Sequence, residues 1–138
     1  METMRLGRTN LTIGRTGFGA LPIQRVSFET AKTILLKAYE GGITFFDTAR
    51  GYSDSEEKLG YALADLRDEI IIATKASGAS DRASLMACLE TSLAKLKTDH
   101  VDILQLHNPA ALPDPDDEDS LYAGLLEARA KGMTRFIG

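Results

Sequence analysis

An α/β fold built on a parallel sheet is what this sequence predicts, on three observations. Amphipathic helical stripes alternate with short apolar runs along most of the chain. Those runs are largely apolar at consecutive positions, as in strands covered on both faces. The repeat is roughly 30 residues, the size of a βαβ unit.

The elements follow in order. Met4-Arg5-Leu6 and Leu11-Thr12-Ile13 flank Thr9-Asn10 as a small hairpin, and Gly17-Phe18-Gly19-Ala20-Leu21 reads as the first strand of the main sheet. Between Ser27 and Gly41, the residues Ala31, Ile34, Leu35 and Ala38 fall on one helical face. Ser27 can cap that helix, Glu29 suits the dipole in its first turn, and Gly41-Gly42 tolerates the backbone that ends it. Ile43-Thr44-Phe45-Phe46 follows as a strand. A second stripe, Leu59, Ala62, Leu63 and Leu66, comes after the capping candidates Ser53 and Asp54, and leads into the strand Ile70 to Thr74. A third, Leu85, Leu89, Leu93 and Leu96, is capped near Ser80 or Asp81 and leads into Val101 to Leu106. A fourth carries Leu121, Leu125 and Ala128, stops near Gly132, and precedes Met133 to Ile137, which starts another strand.

An N-terminal hairpin, four βα units and the start of a fifth strand fit two architectures. One is an open doubly wound sheet, which usually binds a nucleotide at a glycine-rich first turn; Gly17-Phe18-Gly19 lacks the third glycine at the required offset. The other is a (β/α)8 barrel, which needs about 250 residues. At 138 residues the chain supplies about half of one.

Composition narrows the function. Hydrophobic residues are 43% and charged residues 26%, as in ordinary soluble domains. A formal net charge of -4 gives no positive field to attract nucleic acid or an anionic membrane surface. No apolar run reaches the roughly 20 residues of a membrane span, and the N-terminus lacks a signal-like stretch, so a cytoplasmic protein acting on small molecules is expected. The single cysteine, Cys88, lies beside the apolar stripe of the third helix and reads as a small buried hydrophobe. The acidic stretch Asp114 to Asp119 lacks the glycine and terminal glutamate of a calcium loop, so it reads as a solvated loop before the fourth helix, and no metal site is expected. Glu56 and Glu57 read as helix-start charges, and Arg50 either attracts an anionic substrate or faces water.

In both architectures the active site lies at the C-terminal ends of the strands. Asp47 follows Phe46, Lys75 follows Thr74, His107 follows Leu106, and Tyr52 stands in the loop after Asp47. An acid, a base, an imidazole and a phenol therefore meet on one face. Such a set can protonate a carbonyl oxygen: an ammonium beside a phenol stabilises the phenolate left behind, a carboxylate fixes the ammonium, and an imidazole orients the carbonyl.

The strings GFGALPIQ, ITFFDTARGYSDSEEKLG, IIATK and DILQLHNP resemble the N-terminal half of the aldo/keto reductases. The resemblance implies a TIM (β/α)8 barrel, with residues 1–138 forming its N-terminal half and no second domain. It implies NADPH-dependent reduction of a small aldehyde or ketone, with NADH as the other nicotinamide. Asp47, Tyr52, Lys75 and His107 fall on the family's catalytic tetrad, Tyr52 and His107 also facing the substrate. Gly19, Ala20 and Leu21, with Asp47, would lie beside the nicotinamide. ALPIQRV with DTARGYSDSEEKLG is especially similar to a bacterial branch whose longer members often carry a C-terminal 4Fe-4S module, which one cysteine cannot ligate. The family's Ser-Asn pair after strand five, its stacking aromatic after strand seven and its phosphate-gripping loop would all fall beyond Gly138.

Two other functions fit the residues. A lysine at a barrel strand end also serves Schiff-base enzymes, although Asp47 would keep Lys75 charged and so oppose attack on a carbonyl. A half barrel would alternatively be an inactive fragment, its unpaired sheet edges favouring self-association.

Overall fold

The computed structural model describes residues 2–138. Strands β1 (Thr3–Arg5) and β2 (Thr12–Gly14) form the antiparallel hairpin, with Met4 opposite Ile13. Leu6 and Leu11, expected inside the strands, instead close the turn: the Leu6 amide donates to the Leu11 carbonyl at 2.8 Å. Left-handed backbone at Gly7 and Asn10 makes that closure possible.

The main sheet begins at β3 (Phe18–Gly19). Leu21, expected in this strand, opens a 3-10 turn through Arg25, where Pro22 supplies a fixed φ and no amide to pair. Helix α1 (Phe28–Glu40) is capped by Ser27, whose Oγ accepts from the Thr30 amide at 3.1 Å. It buries Ala31 and Leu35, while Ile34 stays 39% exposed, so the buried stripe is narrower than the apolar one. Strand β4 (Phe45–Asp47) precedes helix α2 (Ser55–Leu63), which tightens into a 3-10 turn, Ala64–Glu69, that takes in Leu66. Neither expected residue caps α2 with its side chain: Ser53 has φ +39°, and the Asp54 carboxylate instead pairs with Lys58 at 2.8 Å. Strand β5 (Ile71–Ala76) is followed by α3 (Arg82–Leu96), where Asp81 and Ser84 form a reciprocal capping box. Strand β6 (Val101–Leu106), helix α4 (Leu121–Ala130, capped by Ser120) and strand β7 (Thr134–Ile137) complete the order.

The five strands of the main sheet are all parallel and lie in the order β3-β4-β5-β6-β7. That order settles the architecture. Crossovers between parallel strands are right-handed, and each new strand adds on the same side, so every helix falls on the same face. A doubly wound sheet would reverse order at a switch point and cover both faces. The sheet is therefore one half of a (β/α)8 arrangement, with β3 and β7 at its two edges.

Strand alternation sorts the side chains. Phe46, Ile72, Thr74 and Leu104 are buried toward the helices, where they meet Leu35, Leu59, Leu63, Leu85 and Leu89 in one core. Ile71, Lys75, Ile103 and Gln105 point to the other face and are half-buried. Below the sheet, Asp102 is 2% exposed and accepts from Arg67, Arg135 and the Ile72 amide at 2.8–2.9 Å, clamping β5, β6 and the start of β7.

Helices α2 and α3 pack in close backbone contact at Gly60. A Cβ there would lie 2.3 Å from the Lys95 carbonyl oxygen and 2.9 Å from Leu96 Cα, both backbone atoms that cannot swing aside. Gly60→Ala must push the helices apart and should cost about 2 kcal/mol or more in denaturant unfolding, despite alanine's better helix propensity. A variant as stable as the parent would show that the crossing is not close-packed.

Candidate active site

Three neighbouring strands carry the site. Asp47 ends β4, Lys75 is the fifth residue of β5, and His107 is the first residue past β6. Residues at strand ends on one face of a parallel sheet converge, and these do. Lys75 Nζ donates to Asp47 Oδ1 at 2.5 Å and to the Thr48 carbonyl at 2.8 Å. The same ammonium stands 5.3 Å from the centre of the Tyr52 ring. Tyr52 packs edge-on against His107, with ring centres 5.6 Å apart at 83°. The four residues expected to act together thus form one continuous cluster, half-buried at the mouth of the sheet.

Tyr52 reaches this position on a loop held at many points. The Thr48 amide donates to the Ala73 carbonyl and the Arg50 amide to the Lys75 carbonyl, so the loop leaves β4 still paired to β5. The Tyr52 amide returns to Ala49, and the Ser55 amide donates to the Tyr52 carbonyl. Beneath the loop, Ser55 Oγ donates to the Ala20 carbonyl at 2.9 Å, which leaves Thr48 Oγ1 as donor in its 2.9 Å bond to Ser55. Every polar group under the loop has a partner, as burial requires.

Glu56 and Glu57 stand in the first turn of α2, as expected of helix-start charges, but Glu56 is also buried and paired. It is 1% exposed and accepts from Thr74 Oγ1 at 2.7 Å and Arg50 Nη1 at 2.5 Å. Arg50 is therefore committed to this buried carboxylate and closes the back of the loop. The signal was in the spacing: residues 56, 59, 60 and 63 lie on one helical face, so Glu56 shares the buried stripe of Leu59 and Leu63. Lys58 is also buried, its ammonium donating to Asp54 and to the carbonyls of Ile23 and Gln24.

Ser77, which sequence reasoning did not single out, touches the site directly. Its Oγ lies 2.6 Å from His107 Nδ1 and accepts from the Gly51 amide at 3.1 Å. Its sequence position, two residues past Lys75, gave no periodic or motif signal.

Gly19 is paired in register with Asp47, and the Ala20 amide donates to the Asp47 carbonyl at 2.8 Å. Ala20 is fully buried, whereas Gly19 and Leu21 are exposed. Nothing stands within 4 Å of where a Cβ would project from Gly19, so the surface beside Asp47 is open.

The remaining candidates are structural. Cys88 is half-buried, and burial pushes its thiol up from the ordinary cysteine value. In the acidic stretch, Asp114 and Asp117 accept from the Asp116 and Asp119 amides, as turn formers do. Among the described residues no group of His, Cys, Asp and Glu is arranged to hold a metal, and no helix is long and apolar enough to cross a membrane.

Comparison with known proteins gives a consistent result. The family model described as the aldo/keto reductase family matches residues 10–138. An uncharacterized oxidoreductase, YqkF, of Bacillus subtilis is 31% identical over an alignment covering all of this chain and 48% of its own. The NADPH-dependent codeinone reductase 1-5 of Papaver somniferum is 33% identical over 88% of this chain and 44% of its own. The crystal structure of an aldo-keto reductase from Klebsiella pneumoniae in complex with NADPH superposes with a TM-score of 0.86 at 25% identity, covering 99% of this chain and 48% of that one. The chain thus spans about half the length of the curated relatives it matches.

Proposed function

Since the chain belongs to the aldo/keto reductase family, we propose that it carries the proton-transfer half of an NADPH-dependent carbonyl reductase, Asp47, Tyr52, Lys75 and His107 acting as one unit. The observation that carries this reading is the unbroken cluster from Asp47 through Lys75 and Tyr52 to His107.

Among the described residues neither the Tyr52 hydroxyl nor His107 Nε2 has a hydrogen-bond partner, so both are available to a substrate oxygen at the strand ends. Tyr52 donates its proton to that oxygen as the alcohol forms. Lys75 holds its positive charge close to the phenol, and Asp47 with the Thr48 carbonyl fixes the ammonium by two short bonds. His107 orients the carbonyl by donating to the same oxygen. The open surface at Gly19, in register with Asp47, fits a flat nicotinamide ring, and Gly19, Leu21 and Asp47 would hold that end of the cofactor, while Ala20, expected beside it, is fully buried and only braces Asp47 from behind through its amide. When bound, NADPH supplies the hydride for the carbonyl carbon.

The clamp on Lys75 argues against a Schiff-base reaction, which needs a neutral amine with a free lone pair. Titration with NADPH and NADH, followed by nicotinamide fluorescence, and turnover of a panel of small aldehydes and ketones test the reading together. Saturable nicotinamide binding with carbonyl-dependent oxidation is the expected result. Absence of both, with borohydride trapping a carbonyl compound on Lys75, would replace it by the aldolase-type reaction.

A further inference from the structure

Ser77 sits where it can decide which nitrogen of His107 carries the proton. A neutral imidazole has one N–H and one lone pair, and only the tautomer protonated at Nε2 can donate outward from this site. The distances around Ser77 Oγ favour that tautomer. Its oxygen accepts from the Gly51 amide at 3.1 Å, which fixes the amide as donor. The hydroxyl proton then has two acceptors within reach. The Lys75 carbonyl lies 3.5 Å away, long for an O–H···O bond, and already accepts from the Arg50 amide at 3.1 Å. His107 Nδ1 lies at 2.6 Å.

We infer that Ser77 is a positioning residue that donates to His107 Nδ1, so that the imidazole carries its proton on Nε2 and presents it to the substrate oxygen. The inference rests on the reading of His107 as the carbonyl-orienting group. Gly51 is part of the same device: a Cβ there would lie 3.0 Å from Ser77 Oγ and 3.2 Å from Ser77 Cβ, so any larger residue would press on the serine that its amide approaches. Lys75 and Ser77 leave one strand end, and Gly51 and Tyr52 one loop. The residues that would transfer the proton and the one that sets the imidazole are thereby placed by the same backbone.

The test is nitrogen-15 NMR of the His107 ring in the protein and in Ser77→Ala and Ser77→Thr, with kcat, KM and NADPH affinity measured on the same samples. The chain has two histidines, so the ring signals separate by comparison with a His100→Gln variant. The parent should show His107 neutral and protonated at Nε2. Ser77→Ala should populate the Nδ1-protonated tautomer and lower kcat about tenfold with unchanged NADPH affinity. Ser77→Thr, which keeps the hydroxyl, should restore both. A parent protonated at Nδ1, or a Ser77→Ala variant with unchanged ring signals and unchanged kcat, would overturn the inference. If the parent reduces no carbonyl compound at all, the reading of His107 fails and takes the proposed role of Ser77 with it, whatever the ring signals show.

Discussion

Tyr52→Phe should lower carbonyl reduction by about 10²- to 10⁴-fold, the range general-acid groups contribute, while leaving NADPH affinity unchanged. The substitution suits the question because it removes one atom. The phenyl ring keeps its edge-on contact with His107 and its place beside the Lys75 ammonium. The loop is held by backbone bonds at Thr48, Arg50, Tyr52 and Ser55, none of which uses the phenol oxygen. A folding defect is therefore not expected, and circular dichroism with thermal unfolding checks that it is absent. Turnover within a few-fold of the parent would show that another group protonates the substrate oxygen, His107 being the neighbour in position to do so.

Asp102→Ala should be the most destabilising single change at the other end of the sheet. One buried carboxylate there satisfies Arg67, Arg135 and the Ile72 amide, so alanine strips a partner from two guanidinium groups and a buried backbone donor. Breaking a buried pair from one side costs about 3–5 kcal/mol. The lower end applies here, because Arg135 is half-exposed and water can replace part of its bond. Arg67 retains the Ile70 and His100 carbonyls and the Thr98 hydroxyl, which keeps its side chain in place and limits the loss further. Denaturant unfolding of Asp102→Ala beside Asp102→Asn measures it. A loss below about 1 kcal/mol, the scale of an exposed pair, would show that the clamp contributes little.

Periodicity carried the fold a long way. Each βα alternation stands in the structure, and the strand-end placement of Asp47, Lys75 and His107 followed from the apolar runs that precede them. What those runs could not supply was strand order, and order is what separates a barrel half from a doubly wound sheet. Local departures lie at the ends of elements, where a competing nearby bond won. Asp54 pairs forward with Lys58 instead of capping α2, and Leu6 and Leu11 close a turn rather than extend strands. Glu56 does stand at a helix start, but its burial and its bond to Arg50 follow from spacing rather than charge: the helical face containing Leu59 and Leu63 places Glu56 inside. Ser77 was not legible. Its bond to His107 crosses 30 residues of chain and depends on two strand ends lying side by side.

The role proposed for this cluster is to protonate a carbonyl oxygen while a nicotinamide reduces the carbon. Incubating the protein with an aldehyde and NADPH carrying deuterium at both C4 positions of the nicotinamide, then analysing the product by mass spectrometry, checks both halves of that role. The parent should yield an alcohol with deuterium on the former carbonyl carbon, and Tyr52→Phe almost none. An alcohol lacking the label, or equal labelled product from both proteins, would contradict it.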